Sequence, residues 1–226
     1  MSDIVNLKPE AVWRFFDEIT RIPRPSKKEE KIVAYLIDFA KSRSLEYRKD
    51  STGNVVIRKG ASPGMENRPV VVLQSHVDMV CEKRGDVNFH FDTDPIRTRV
   101  EDGWVRAEGT TLGADCGIGM AAELAVLDAD DLAHGPVEWL FTGLTVAFGR
   151  GEGMLSGKYL INLDSEDEGQ LFIGCAGGID TVATMRYRQE EAPKNFDFFR
   201  IDIGGLLGGH SGDDIDKGRA NSNESL

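Results

Sequence analysis

Four polar residues stand where predicted strands or turns end, and their types suit a divalent metal ion. His76 and Asp78 follow an apolar run, Asp115 lies in the glycine-rich stretch "TTLGADCGIG", and Asp164 closes "YLINLD". Imidazole nitrogen and carboxylate oxygen suit zinc, cobalt or manganese better than calcium. The combination therefore indicates metal-assisted chemistry, provided that the fold brings the four side chains together.

The spacing of His76 and Asp78 permits a division of labour. Residues two apart in extended backbone project to the same side, so one can bind a metal while the other orients it. Each feature alone has a plainer explanation. An isolated H-x-D pair is more often a buried histidine with a surface aspartate, and an aspartate among glycines is more often a turn residue. Cys116 is more readily explained as a small buried thiol than as a nucleophile.

The elements that must position these residues alternate between helix and strand. Apolar spacing predicts a helix over 8–22 with Pro9 in its first turn, and Ser26 is predicted to cap a second helix. A third helix follows the glycines around Asp115, and residues 90–109 are predicted to form an irregular hairpin. Strands are predicted over 54–60, 69–76, 136–142, 158–164, 169–188 and 196–205. This order indicates an α/β fold with a mixed, mainly parallel sheet and helices on both faces, in which functional residues gather at the carboxyl ends of strands.

Composition excludes several functional classes. A formal net charge of -11 over 226 residues argues against nucleic-acid binding, which needs clustered lysine and arginine. Three widely spaced cysteines fit a reducing compartment. Neither a signal peptide nor an apolar run of about 20 residues is visible, so a cytoplasmic protein without membrane association is expected. The glycines near Asp115 do not form the dinucleotide fingerprint GxGxxG.

Four motifs occur in an order that is typical of one enzyme family. They are "SHVDMVCEK", "GTTLGADCGIG", "YLINLDSEDEG" and "GGHSGDDIDKGRAN". With them the chain resembles the aminoacyl-histidine dipeptidases (Xaa-His dipeptidases, peptidase D), a branch of the di-zinc M20 metallopeptidases. The last motif is specific to this branch. The resemblance implies metal-dependent hydrolysis of dipeptides, with a preference for C-terminal histidine.

The resemblance also implies a role for each site residue. His76 and Asp164 resemble ligands of one metal, Asp115 the carboxylate that bridges two metals, and Asp78 the carboxylate that orients His76. His210 resembles the lid-domain residue that contacts the substrate and stabilises the oxyanion. The cofactor implied is a pair of divalent ions, zinc with cobalt or manganese as alternatives. The implied partners are a small peptide substrate and a second copy of the chain in a homodimer.

The family pattern further implies a cis peptide bond between Asp115 and Cys116, and two domains. Residues 1–205 correspond to an incomplete catalytic domain with the M20 α/β fold. Residues 206–226 correspond to the start of a smaller α+β lid domain, through which the family dimerises. Family members continue for roughly as long again, and that part holds most of the lid and the last histidine ligand.

One departure from the family pattern affects catalysis directly. The acidic segment that supplies the general base and another metal ligand is absent between Thr142 and Gly143, and neither Glu138 nor Glu152 is aligned to replace it. The 226 residues are therefore predicted to be inactive or nearly so. They are either part of a longer chain, which we favour, or a decayed relative. The rival functions are a non-catalytic metal- or ligand-binding pseudo-enzyme and another M20 peptidase or deacylase.

Overall fold

The computed structural model describes most of the chain, in two units. The described residues are 3–143, 153–165, 167–174, 182–192, 194–210, 214 and 216–221. The chain divides into Met1–Glu168 and Gly169–Leu226, and each unit is described by itself. Glu152 and the last of the three cysteines, Cys175, lie outside the described residues. The predicted division into 1–205 and 206–226 stays a prediction.

Helices and strands alternate in the first unit, as the apolar patterns predict. A short 3₁₀ helix, Asp3–Asn6, precedes the regular elements. In chain order these are α1 (Glu10–Thr20), α2 (Glu30–Ser42), β1 (Glu46–Lys49), β2 (Val55–Lys59), β3 (Val71–His76), β4 (Thr98–Glu101), β5 (Trp104–Ala107), α3 (Ala114–Asp128), β6 (Val137–Thr142) and β7 (Tyr159–Asn162). Among the helices described, none is both long and apolar enough to cross a membrane.

Five of the strands form one mixed sheet, in the order β1-β2-β6-β3-β7. β3 lies in parallel register between β6 and β7, while β2 runs antiparallel to both of its neighbours. The mixed α/β fold is therefore confirmed. β4 and β5 form a separate antiparallel hairpin, which confirms the hairpin predicted within 90–109. Its turn residues Asp102 and Gly103 both have positive φ, which suits a two-residue hairpin.

The three described helices pack into one apolar cluster against one face of the sheet. Val55 and Ile57 of β2, and Trp139 and Phe141 of β6, are buried there because alternate strand residues point to the same face. The helical members of the cluster come from α1, α2 and α3, and they include Phe16, Leu36 and Leu124.

The opposite face is covered differently from the prediction of helices on both faces. Val56, Val72 and Leu140 form a small buried cluster there, and Met154 and Leu155 pack against it. These two residues belong to no helix. Within the described residues, a short irregular segment before β7 therefore covers this face in place of the predicted helix. Its two apolar side chains suffice because the apolar patch is small.

The predicted helix cap at Ser26 is wrong. α2 begins at Glu30, its N-cap position is Glu29, and no side chain caps it. The Ser26 hydroxyl instead donates a hydrogen bond to the Asp78 carboxylate. The Ser26 hydroxyl, which was predicted to cap α2, therefore bonds a residue distant in the chain. The first turn of α2 is left without a side-chain cap.

Among its described residues, the second unit lacks the strands predicted over 169–188 and 196–205, and residues 175–181 lie outside the described residues. Its described residues form neither helix nor strand, and many large apolar side chains are exposed, among them Ile173 and Phe199. A strand needs hydrogen-bonded neighbours to satisfy its backbone, and no described residue after 168 pairs with another strand. The apolar pattern alone was therefore a poor guide here.

A carboxyl group is buried inside the first unit, between α3 and β3. The Glu123 side chain is fully buried, and its Oε2 accepts a hydrogen bond from Ser75 Oγ at 3.1 Å. Its Oε1 has no hydrogen-bond partner among the described residues. Burial raises the pKa of Glu123 well above its usual value, and the bond from Ser75 only partly opposes this.

The substitution Glu123→Gln is expected to flatten the pH dependence of stability. The folded state keeps the proton on Glu123 while the unfolded state loses it above about pH 4.5. Stability that is present below that pH is therefore lost as the pH rises toward the folded-state pKa, by up to about 1.4 kcal/mol per pH unit. Urea unfolding between pH 4 and 8 measures this slope. A slope parallel to that of the wild type would contradict the assignment.

Candidate metal centre

Three of the predicted ligands meet at the carboxyl end of the sheet. One donor atom from each of His76, Asp115 and Asp164 lies within 4.8 Å of the other two. His76 Nε2 is 2.8 Å from Asp115 Oδ1 and 3.5 Å from Asp164 Oδ1. All three side chains remain partly exposed to solvent. They thus face a common, accessible point.

Parallel pairing of β3 and β7 brings the first and last of these residues together. His76 is the last residue of β3, and Asp164 comes two residues after the end of β7. The pairing extends beyond β7, because Leu163 N donates to Gln74 O at 2.9 Å. Since parallel strands end at the same sheet edge, their carboxyl-terminal side chains become neighbours.

Asp115 reaches the same point from the first turn of α3. Gly113, at the N-cap position, has φ 71°, a left-handed conformation that favours glycine. Asp115 and Cys116 then depart from helical dihedral angles inside the first turn. The Asp115–Cys116 peptide bond is cis, which confirms the expectation from the family pattern.

Asp78 lies on the other side of the imidazole ring. His76 Nδ1 is 3.2 Å from Asp78 Oδ1 and 3.1 Å from the Asp78 carbonyl oxygen. The Asp78 side chain is only 7% exposed, and it also accepts a hydrogen bond from Ser26 Oγ. This arrangement leaves Nε2 directed at Asp115 and Asp164, as a ligand oriented through its second nitrogen requires.

The surrounding carboxylates favour a positive charge at this point. Burial lowers the pKa of His76, but hydrogen bonds with Asp115, Asp164 and Asp78 outweigh it and raise the pKa to about 11. Burial raises the pKa of Asp78, but its hydrogen bonds with His76 and Ser26 lower the pKa by more. The pKa of Asp78 therefore lies below its usual value. The site therefore attracts a proton when nothing else neutralises the carboxylates.

Cys116 is a buried thiol rather than a nucleophile. Its side chain is 2% exposed, and Sγ donates a weak hydrogen bond to the Leu163 carbonyl at 3.3 Å. Burial raises the pKa of the thiol, and the nearby charge of Asp164 adds to the effect. A thiol that stays protonated is a poor nucleophile. Its position fits the small buried residue that the sequence predicts.

Three further residues bear on catalysis, namely His210, Glu138 and Glu152. His210 belongs to the second unit, where its backbone N–H donates to Asp214 Oδ2 at 2.8 Å. Glu138 is buried near the start of β6, where it accepts hydrogen bonds from Arg58 at 2.8 Å and from the Ser156 amide at 2.7 Å. His76 pairs with Thr142 at the opposite end of β6, so Glu138 lies away from the metal centre. Glu152 lies outside the described residues.

Arg24 is a site neighbour that the sequence analysis does not identify, although it lies between two prolines in "IPRPS". Its side chain is buried, and it donates hydrogen bonds to the backbone carbonyls of Val77, Asp78 and Gly113. Burial lowers the pKa of Arg24 to about 10, so it stays charged at neutral pH. A charged residue held between two prolines was the available signal, since prolines restrict the backbone on both sides.

The donor set fits a single divalent transition-metal ion. One imidazole nitrogen and two carboxylate oxygens are donors that zinc and manganese accept, and three protein donors leave positions open for water or substrate. A pair of ions needs further donors, and no other group of three or more His, Cys, Asp or Glu residues with suitably close atoms occurs in the described part of the chain.

Known proteins resemble this chain along its whole length. No family model matches it. It is 45% identical, over 231 residues and 100% of its own length, to the cytosol non-specific dipeptidase of Escherichia coli (strain K12). The chain spans about half of that relative, 48% of its length.

Solved structures point the same way. The aminoacylhistidine dipeptidase of Vibrio alginolyticus is 42% identical, with a TM-score of 0.75 over 98% of this chain and 46% of that one. A tripeptidase of Staphylococcus aureus has a TM-score of 0.58 at 21% identity, over 70% of this chain and 44% of that one, and shows a shared fold. Along its entire length the chain is therefore similar to two dipeptidases, of which it spans about half, and it shares the fold of a tripeptidase.

Proposed function

We propose that the chain is the metal-holding part of a dipeptidase that hydrolyses Xaa-His dipeptides. The convergence of His76, Asp115 and Asp164 on one accessible point carries this proposal. The identity with two dipeptidases supports the reaction, and the name of the Vibrio enzyme supports histidine at the C-terminus of the substrate.

The residues present would divide the work as their positions suggest. His76 and Asp164 would bind one ion, Asp115 would bridge it to a second where the complete gene product supplies further donors, and Asp78 would keep the imidazole oriented through Nδ1. Bound divalent ions, zinc with cobalt or manganese as alternatives, would polarise the peptide carbonyl and acidify water. The 226 residues alone are expected to be inactive, because the acidic segment that would supply the general base is absent between Thr142 and Gly143.

The domain assignment and partners belong to the same proposal. Residues 1–205 would form the N-terminal part of the catalytic domain. Residues 206–226 would form the start of the lid domain, whose His210 would contact the substrate. The substrate would be a small peptide, and the resemblance to the family supports a homodimer formed through the lid. A cytoplasmic location is supported by the name of the cytosol dipeptidase that the chain resembles.

Two other functions would use the same scaffold. A pseudo-enzyme that binds metal or ligand without turnover is favoured by the missing acidic segment after Thr142. A tripeptidase or deacylase is a different hydrolase on this fold, and the shared fold of the Staphylococcus tripeptidase makes it worth testing. A panel of dipeptides, tripeptides and N-acyl amino acids separates these possibilities.

The decisive experiment follows both turnover and metal. The complete product of the gene is expected to hydrolyse a dipeptide with C-terminal histidine, to lose this activity after exhaustive treatment with a chelator, and to regain it with zinc. Activity that survives removal of all metal would overturn the proposed mechanism. Metal uptake without turnover on any member of the panel would favour the pseudo-enzyme.

A further inference from the structure

Arg24 joins the end of β3 to the start of α3. Its side chain is 1% exposed. Nη1 donates hydrogen bonds to the carbonyl oxygens of Val77 at 3.0 Å and Asp78 at 2.9 Å, and Nη2 donates to the carbonyl oxygen of Gly113. Val77 directly follows β3, and Gly113 directly precedes α3. One guanidinium thus holds two segments that are far apart in the sequence.

The space around the guanidinium is closed by two glycines. A Cβ atom added at Gly113 would lie 2.6 Å from Arg24 Nη2, and a Cβ atom added at Gly117 would lie at the same distance from it. Neither glycine could therefore carry a side chain without displacing the guanidinium. This is a fitted position for a planar, forked donor, and a lysine ammonium cannot reproduce its geometry.

The backbone around Arg24 is attached to the same segment. Met79 N donates to the Arg24 carbonyl at 3.0 Å, and Ser26 N donates to the Met79 carbonyl at 3.4 Å. The Ser26 hydroxyl adds its bond to the Asp78 carboxylate. The segment 24–26 therefore holds the chain after His76 through both backbone and side-chain contacts.

We propose that Arg24 is a positioning residue of the metal centre, which sets the separation between the strand end that carries His76 and the helix turn that carries Asp115. This inference rests on the proposed function. The guanidinium acts on these two ligands indirectly, through its hydrogen bonds to the backbone carbonyls at 77, 78 and 113. Hydrogen-bond partners of this indirect kind typically change metal affinity about 10–100-fold when they are mutated.

Two variants of the chain test this role, with zinc affinity measured by competition with a chromogenic chelator. Arg24→Lys keeps the charge but loses the fork, and Gly117→Ala keeps the arginine but crowds its Nη2. Both are expected to remain folded by circular dichroism and to bind zinc about 10–100-fold more weakly. The absorption spectrum of bound Co²⁺ is expected to change as well, because it reports the ligand geometry, which a loss of stability alone would not alter.

Arg58→Lys is the matched control. Arg58 is a partly buried arginine that bonds Glu138 at 2.8 Å and Glu46 at 2.7 Å, beside the start of β6 and away from the site. The same chemical change is expected there to leave zinc affinity and the Co²⁺ spectrum unaltered. If Arg58→Lys lost as much zinc affinity as Arg24→Lys, the loss would be a general effect of replacing an arginine. That result would overturn the positioning role of Arg24.

His76→Ala separates the failure of this inference from the failure of the proposed function. If the wild-type chain binds zinc no better than His76→Ala, the metal site itself is refuted, and the role of Arg24 with it. If His76→Ala loses binding while Arg24→Lys and Gly117→Ala bind as the wild type does, only the positioning role is refuted. Should Arg24→Lys unfold, Gly117→Ala decides, and wild-type affinity in that variant overturns the inference.

Discussion

Replacing Asp115 with alanine is expected to abolish metal uptake while the fold is kept. Asp115 supplies one of three donor atoms that meet within 4.8 Å, so its loss leaves two, which cannot hold an ion tightly. Removal of a direct donor is expected to cost more than the about 10–100-fold that indirect partners cost. The side chain is 46% exposed, so little packing is lost with it. Equilibrium dialysis against zinc, followed by elemental analysis, measures the effect.

The stability cost of Asp115→Ala is expected to be small. An acidic residue in the first turn of α3 interacts favourably with the helix dipole, and removing it costs about 0.3–1 kcal/mol, to which the lost contact with His76 Nε2 adds. Asp86→Ala is the matched control, because Asp86 is an exposed aspartate that forms an ion pair with Arg84. That variant is expected to bind zinc as the wild type does. Unchanged metal content in Asp115→Ala would refute the assigned role of this carboxylate.

Replacing Trp139 with alanine is expected to produce the largest loss of stability. Trp139 is fully buried on β6, between β2 and β3, within the cluster that all three described helices share. Truncating a buried tryptophan to alanine removes apolar contacts and leaves a cavity, at a cost of about 3–5 kcal/mol. The indole Nε1 has no hydrogen-bond partner among the described residues, so the expected loss comes from packing. Urea unfolding monitored by circular dichroism measures the change.

Trp104→Ala is the control for this effect. Trp104 lies in β5 of the hairpin, and it is 67% exposed. The same substitution is expected there to change the free energy of unfolding by no more than about 0.5 kcal/mol, as is usual for surface positions. Equal losses in the two variants would contradict the placement of Trp139 in the core. Because a domain is stable by only about 5–15 kcal/mol, Trp139→Ala is also expected to lower the yield of folded protein.

Much of the first unit follows from local patterns. Apolar residues at helical spacing predict α1, and alternating or continuous apolar runs predict β2, β3, β6 and β7, because a side chain's face is decided by its own position in a helix or strand. Those patterns failed in the second unit, where apolar residues such as Ile201 lie in no strand. Strand formation needs a partner, and a partner is not a local property.

The candidate site divides in the same way. The sequence by itself indicated which side chains are of a type that suits a metal, namely His76, Asp78, Asp115 and Asp164, and that each stands near the boundary of an element. Only the tertiary structure decided that β7 pairs beside β3, that Arg24 reaches the carbonyls at both segments, and that Ser26 bonds Asp78 rather than capping α2. The physical reason is that strand order and buried hydrogen bonds arise from contacts between residues distant in the chain, and spacing within one segment carries no information about them.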